Sequence, residues 1–135
     1  MRLIDKIAWI HLEQGTILST RSHGKDVFYL PGGKREPGES DVETLIREID
    51  EELSVTVAPS SARHFGTFEA QAHGHQDGVL VRMACYTADY AGIISARSEI
   101  AEVQWLTHAD RDRVSPVDQI IFDHLLDLKL LLPHL

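Results

Sequence analysis

Residues 33–55, GKREPGESDVETLIREIDEELSV, constrain the fold of this chain more than any other stretch. The segment opens as a turn, because Pro31-Gly32-Gly33 and Pro37-Gly38 break helices. Ser40 then offers an N-cap, with Asp41 and Glu43 in the first turn, where the helix dipole favours negative charge. The pattern predicts a helix of about three turns ending near Leu53. At about 100° per residue, Val42, Leu45, Ile46, Ile49 and Leu53 share an arc as wide as a core-facing stripe. Glu48, Glu51 and Glu52 stand at i, i+3 and i+4, on a different face that points away from that core.

Three carboxylates this close repel one another. Arg47 relieves only part of the repulsion, and no basic residue follows in the next turn. A hard divalent cation such as Mg²⁺ (Mn²⁺ is the alternative) would relieve the rest, since such ions take carboxylate oxygens and then bind substrate phosphates. Taken alone, EIDEE would read as a solvated acidic face. The complete pattern carries more information: Gly33, Glu39, Arg47-Glu48, Ile49, Glu51-Glu52 and Val55 at these spacings resemble the Nudix box. Ser54 stands where that family has Gly, at a position just past the helix where positive φ is expected.

The resemblance implies an α+β fold, an α/β/α sandwich with a mixed central sheet and two main helices. It also implies hydrolysis of a nucleoside diphosphate linked to another group. Mg²⁺ would be held by Glu48, Glu51 and Glu52, with the Gly32 carbonyl as a further ligand. Arg47 and Glu39 would orient the carboxylates and pin the loop. Family members place an acidic residue shortly before a tryptophan of the last strand; Glu99 is the first choice here and Glu102 the reserve, both ahead of Trp105. For the catalytic base, Glu51 comes first and Glu99 second.

Composition bounds the remaining possibilities. A length of 135 residues suits one domain, spanning 1–135 with the box at 33–55. With 43% hydrophobic and 25% charged residues the chain is expected to be ordered and globular. No apolar run approaches a membrane span, the first residues lack a signal-peptide layout, and a cytoplasmic location is expected. Cys85 is the only cysteine and reads as a buried small hydrophobe. The formal net charge of −8 argues against binding duplex nucleic acid. It also repels phosphorylated substrates, a conflict that bound Mg²⁺ would remove.

The flanks read as support. Residues 3–12 and 16–20 form strands joined through Glu13-Gln14-Gly15, and Val27–Leu30 forms a short strand leading into the box. Arg21 is either a strand-end charge or a phosphate contact; Lys34 and Arg35 flank the expected phosphate site. Residues 63–72 and 78–90 form two strands around the loop His73–Gly78, whose histidines read as solvent-exposed. A last strand follows, with Trp105 in the core, and then a helix that begins Ser115-Pro116-Val117-Asp118 and runs to about Leu132. Asp118 is either a capping acid bonded back to Ser115 or a side chain that reads a nucleobase.

By resemblance the chain is closest to MutT-type enzymes, which cleave nucleoside triphosphates to monophosphate and pyrophosphate. Oxidised purine nucleotides lead as substrates, followed by pyrimidine triphosphates. The stretch around Gln71-Ala72-His73 lacks the proline or tyrosine found after the box in ADP-ribose and dinucleotide hydrolases of the family. A nucleotide-sugar or dinucleotide pyrophosphatase is the nearest alternative, and a non-catalytic nucleotide sensor the rival of another class. The expected partner is a nucleotide, and the chain acts as a monomer or homodimer.

Overall fold

The computed structural model describes residues 2–135. In chain order the elements are β1 (Arg2–Trp9), β2 (Leu12–Glu13), β3 (Thr16–Ser22), β4 (Gly32–Lys34), α1 (Asp41–Leu53), β5 (Thr56–Val57), β6 (Arg63–Gln71), β7 (Val79–Thr87), β8 (Tyr90–Ala91), β9 (Ile100–Leu106) and α2 (Pro116–Asp127). A mixed four-stranded sheet runs β4-β1-β7-β6, in which β1 and β7 pair in parallel and the other neighbours are antiparallel. A second, antiparallel sheet runs β2-β3-β9. The expected α+β architecture with a mixed central sheet and two main helices is therefore present.

Strand alternation sends β1 into two cores. Ile7 and Trp9 join Leu45, Ile49 and Leu53 of α1 in one cluster. Ile4, Ala8 and Ile10 join Val117, Ile121, Phe122 and Leu125 of α2 in the other. The helices thus cover opposite faces of the central sheet. Burying side chains of this size stabilises the fold by roughly 1.5–3 kcal/mol each.

Helix α1 starts at a complete capping box: Ser40 Oγ accepts from Glu43 N, and Glu43 accepts from Ser40 N at 2.9 Å. It ends at Ser54, which is left-handed at φ 62°. Helix α2 stops at Asp127 rather than near Leu132. Lys129 turns left-handed at φ 60°, and the N–H groups of Leu130 and Leu131 fold back onto the Leu125 carbonyl. Leu131 is buried, while Leu128, Leu130 and Leu132 are exposed.

Two further expectations are corrected. The segment Val27–Leu30 is not a strand of its own; Phe28 and Tyr29 make single bridges to Val114 and Thr20 before β4 begins at Gly32. Trp105 is 39% exposed and not in the core: it shares a face with its buried partner Leu18 but stands at the rim of the cluster on the α1 side, its ring 5.4 Å from that of His11.

Candidate active site

The site forms where β4, the inner edge of α1 and the turn before β9 converge. Glu48, Glu52 and Glu99 each bring a carboxylate oxygen to within 4.8 Å of one another. Their exposure is graded: Glu52 is buried, Glu48 half-buried and Glu99 exposed. The expectation that all three box carboxylates point away from the core is corrected here. Glu52 is only 5% exposed, since it sits on the flank of the apolar arc and is roofed by β4. Glu51 points outward, 53% exposed in its side chain, and stands 3.6 Å from Arg47 instead of joining the cluster.

Backbone geometry brings the loop onto these carboxylates. Gly32 N donates to Glu52 Oε1 at 3.2 Å. Gly32 has φ 148°, and a Cβ there would collide with the Ile7 carbonyl. At Gly33 a Cβ would lie 2.5 Å from the Glu48 carboxyl carbon. Both glycines are needed for close approach, one to the strand and one to a carboxylate.

Arg47 holds the loop and the cluster together. Its Nε and Nη2 donate to both oxygens of Glu39 at 2.7 and 2.9 Å, its Nη1 to Glu48 at 2.9 Å, and Nη2 also to the Lys34 carbonyl at 3.1 Å. The guanidinium hydrogen bond drives Glu39 down to about 2. Thr44 Oγ1 adds a contact to Glu39 at 3.0 Å.

The other carboxylates shift the opposite way. Burial raises Glu52 to about 8 against the Gly32 hydrogen bond, and the charges of Glu48 and Glu99 add to the rise. Burial also raises Glu48, although Arg47 opposes it. Such a cluster is strained when every member is ionised. Its all-oxygen donor set and mutual distances suit a hard divalent cation, and the groove left by Gly33 keeps the Glu48 carboxylate accessible.

A cavity of about 440 Å³ leads away from the cluster between the two sheets. Glu48, Glu52, Glu99, Gly32 and Gly33 form its acidic end, and Leu30, Val81, Met83 and Val117 its apolar interior. Lys25, Lys34, His73 and His75 stand around it. His73 is bonded to Asp26 at 3.0 Å, and residues 74–78 of the β6–β7 loop are exposed, as its sequence suggests.

Arg21 does not reach this cavity. Thr20 and Ser22 line it, so alternation along β3 turns Arg21 to the other side, where Nε donates to Glu102 at 2.7 Å. Glu102, the reserve acid, is thereby committed to Arg21 and Gln104.

Asp118 is fully buried and is not a capping acid. Ser115 N donates to the Phe28 carbonyl at 3.2 Å, whereas Asp118 Oδ2 accepts from Leu30 N at 3.1 Å. Burial raises the carboxyl to about 7; the Leu30 hydrogen bond, the Lys6 charge and the nearby Ser115 hydroxyl oppose the rise. Neither Ser115 Oγ nor Asp118 Oδ1 attains hydrogen-bond geometry with any described group.

Sequence reading missed Lys6, Tyr29 and Ser115 as cavity residues. Lys6 had a usable signal: a charge at an inward position between Ile4 and Ala8 of a strand.

The NUDIX domain family model matches residues 3–125. The chain belongs to the Nudix family. This Nudix chain resembles the solution structure of the E. coli ORF135 protein, with TM-score 0.75 and 23% identity over 96% of this chain and 92% of that one. It also resembles MutT from Methanosarcina mazei, with TM-score 0.74 and 18% identity over 95% and 96% of the two chains. MutT from Bacillus halodurans aligns with TM-score 0.70 and 23% identity over 90% and 81%. No curated protein matches the Nudix chain. Among its described residues no helix is long and apolar enough to cross a membrane.

Proposed function

We propose that this Nudix hydrolase cleaves nucleoside triphosphates to monophosphate and pyrophosphate in a Mg²⁺-dependent reaction. The observation that carries the reading is the convergence of Glu48, Glu52 and Glu99 at one end of a cavity large enough for a nucleoside. Glu48, Glu52 and Glu99 would hold the cation, together with the Gly32 carbonyl. Glu51, with an outward and unhindered side chain on the neighbouring turn, stays in the proposed set. When bound, Mg²⁺ supplies charge neutralisation for the diphosphate and acidifies coordinated water.

The residues of the chain do the remaining work. Glu99 is the member of the cluster open to solvent, and we assign it the proton from the attacking water, ahead of Glu51. Arg47 is a positioning residue: it holds Glu48 by one N–H and the loop through Glu39 and the Lys34 carbonyl. Lys34 sits at the cavity edge, where its ammonium meets substrate phosphates. Asp118 stays a proposed base contact: it does not line the cavity itself, but its carboxyl lies beside Ser115, which does, and it makes no return bond to the Ser115 N–H. Oxidised purine triphosphates lead as substrates and pyrimidine triphosphates follow.

The test is a phosphate-release screen over nucleoside triphosphates, nucleotide sugars and dinucleotides, with Mg²⁺ and added pyrophosphatase. The expected outcome is monophosphate plus pyrophosphate from triphosphates, abolished by chelator. Turnover confined to nucleotide sugars or dinucleotides would overturn the assignment.

A further inference from the structure

Lys6 and Ser115 occupy positions that the carboxylate cluster does not use. On β1, Ile4, Lys6 and Ala8 share the face that meets α2, so a lysine stands where the pattern calls for an apolar side chain. Its ammonium lies 5.5 Å from the centroid of the Tyr29 ring. It makes no hydrogen bond or ion pair among the described residues, and burial lowers its pKa from the ordinary lysine value, with the Asp118 charge opposing. Ser115 is 2% exposed, lines the same cavity and leaves its hydroxyl unpartnered.

A half-buried ammonium without an acceptor, and a buried hydroxyl out of hydrogen-bond geometry with the neighbouring Asp118 carboxyl, are costly in the ligand-free protein. A ligand that brings acceptors recovers that cost. The surrounding Leu30, Val81, Met83 and Val117 suit a flat group with apolar faces and a polar edge. Lysine offers three donors and no acceptor, while serine can donate or accept. Along β1, Lys6 pairs with Lys34 and lies two residues from the Ala8–Gly32 pair, one step along the sheet from the Gly32 contact with Glu52 and still within reach of the Glu52 and Glu48 charges.

We propose that Lys6 and Ser115 contact the nucleobase and that Lys6 selects those with a carbonyl oxygen on the edge remote from the sugar, the guanine-type and uracil-type bases, over adenine and cytosine. This rests on the reading of the cavity as a nucleoside triphosphate site. The carbonyl accepts from the Lys6 ammonium, and the adjoining ring N–H is donated to Ser115 Oγ. An amino group in place of the carbonyl turns its N–H bonds toward a cation and leaves Lys6 unpaired, while the Ser115 hydroxyl turns to donate to the bare ring nitrogen. A site built around a hydrogen bond rejects the analogue that lacks it strongly.

The experiment compares kcat/KM for GTP against ATP, and for UTP against CTP, in wild type, Lys6→Met and Ser115→Ala with Mg²⁺. Wild type is expected to favour the carbonyl-bearing base by about 10-fold or more in each pair, and Lys6→Met to bring both ratios near one. Ser115→Ala should weaken all four substrates by a similar, smaller factor and leave the ratios in place. Ratios taken on one preparation do not depend on the fraction folded, and Lys6→Gln serves if the Met variant cannot be purified. An equal loss for all four substrates in Lys6→Met would put Lys6 on a phosphate and overturn the proposal. Equal wild-type activity on both members of each pair would overturn it while leaving the hydrolase reading intact. Hydrolysis of none of the four, with turnover of another diphosphate, would remove both.

Discussion

The backbone N–H of Leu30 donates to Asp118 Oδ2 at 3.1 Å, tying the segment that enters the box to the first turn of α2. The same carboxyl is fully buried and raised from 3.8 to about 7, with Lys6, Tyr29 and Cys85 the titratable groups that sense its charge. Because the folded pKa exceeds the unfolded one, its contribution to stability is complete below about pH 4 and is lost as pH rises through about 7. In chelator, the melting temperature is expected to fall across that window in wild type. Asp118→Asn should flatten the slope; an unchanged slope in the variant would refute the assignment.

Arg47→Lys removes the two-point grip on Glu39 while keeping the charge. A Mg²⁺ titration of turnover is expected to show apparent metal affinity weakened by about 10–100-fold, with nucleotide KM little altered at saturating metal. A rise in KM alone would mean that Arg47 contacts substrate directly.

Glu51→Gln and Glu52→Gln should each lower Mg²⁺-dependent kcat by about 10²-fold or more. They differ in stability. Glu52 is buried and resists ionisation, so its neutral replacement should raise the melting temperature of the metal-free protein at pH 8, whereas the exposed Glu51 should change little. Turnover near wild type in either variant would strike that residue from the metal-binding set.

Ser54 adopts φ 62°, which costs a non-glycine residue roughly 1 kcal/mol. Its hydroxyl accepts from Arg97 at 3.1 Å, an exposed contact worth less than the strain. Ser54→Gly is therefore expected to raise the melting temperature by roughly 2–4 °C without loss of activity. Calorimetry decides it, and a lower melting temperature would show that the Arg97 contact outweighs the strain.

What could be read in advance divides along the reach of each interaction. The helix α1, its Ser40 cap and the left-handed Ser54 depend on neighbours within a few residues, and sequence spacing reports these well. Whether Glu52 is buried and Glu51 exposed depends on β4 folding over one flank of the helix, which a helical wheel does not contain. Arg21 is ambiguous in the sequence for the same reason: its partner Glu102 arrives only through the β3–β9 pairing. The end of α2 is not legible in the sequence because Leu128, Leu130 and Leu132 prolong an apolar pattern past the left-handed turn at Lys129.

The last carbonyls of α1 bear on how such a site tolerates change. Glu52 O and Leu53 O, which have no partners within the helix, accept from Arg97 N and Ser95 N. That loop leads directly to Glu99, so one residue, Glu52, supplies a carboxylate to the cluster and a main-chain anchor for the segment carrying another member. The anchor reads no side chain. Any residue but proline at 95 and 97 can therefore keep the anchor, and an insertion between 93 and 98 should detune the site more than a substitution at either position.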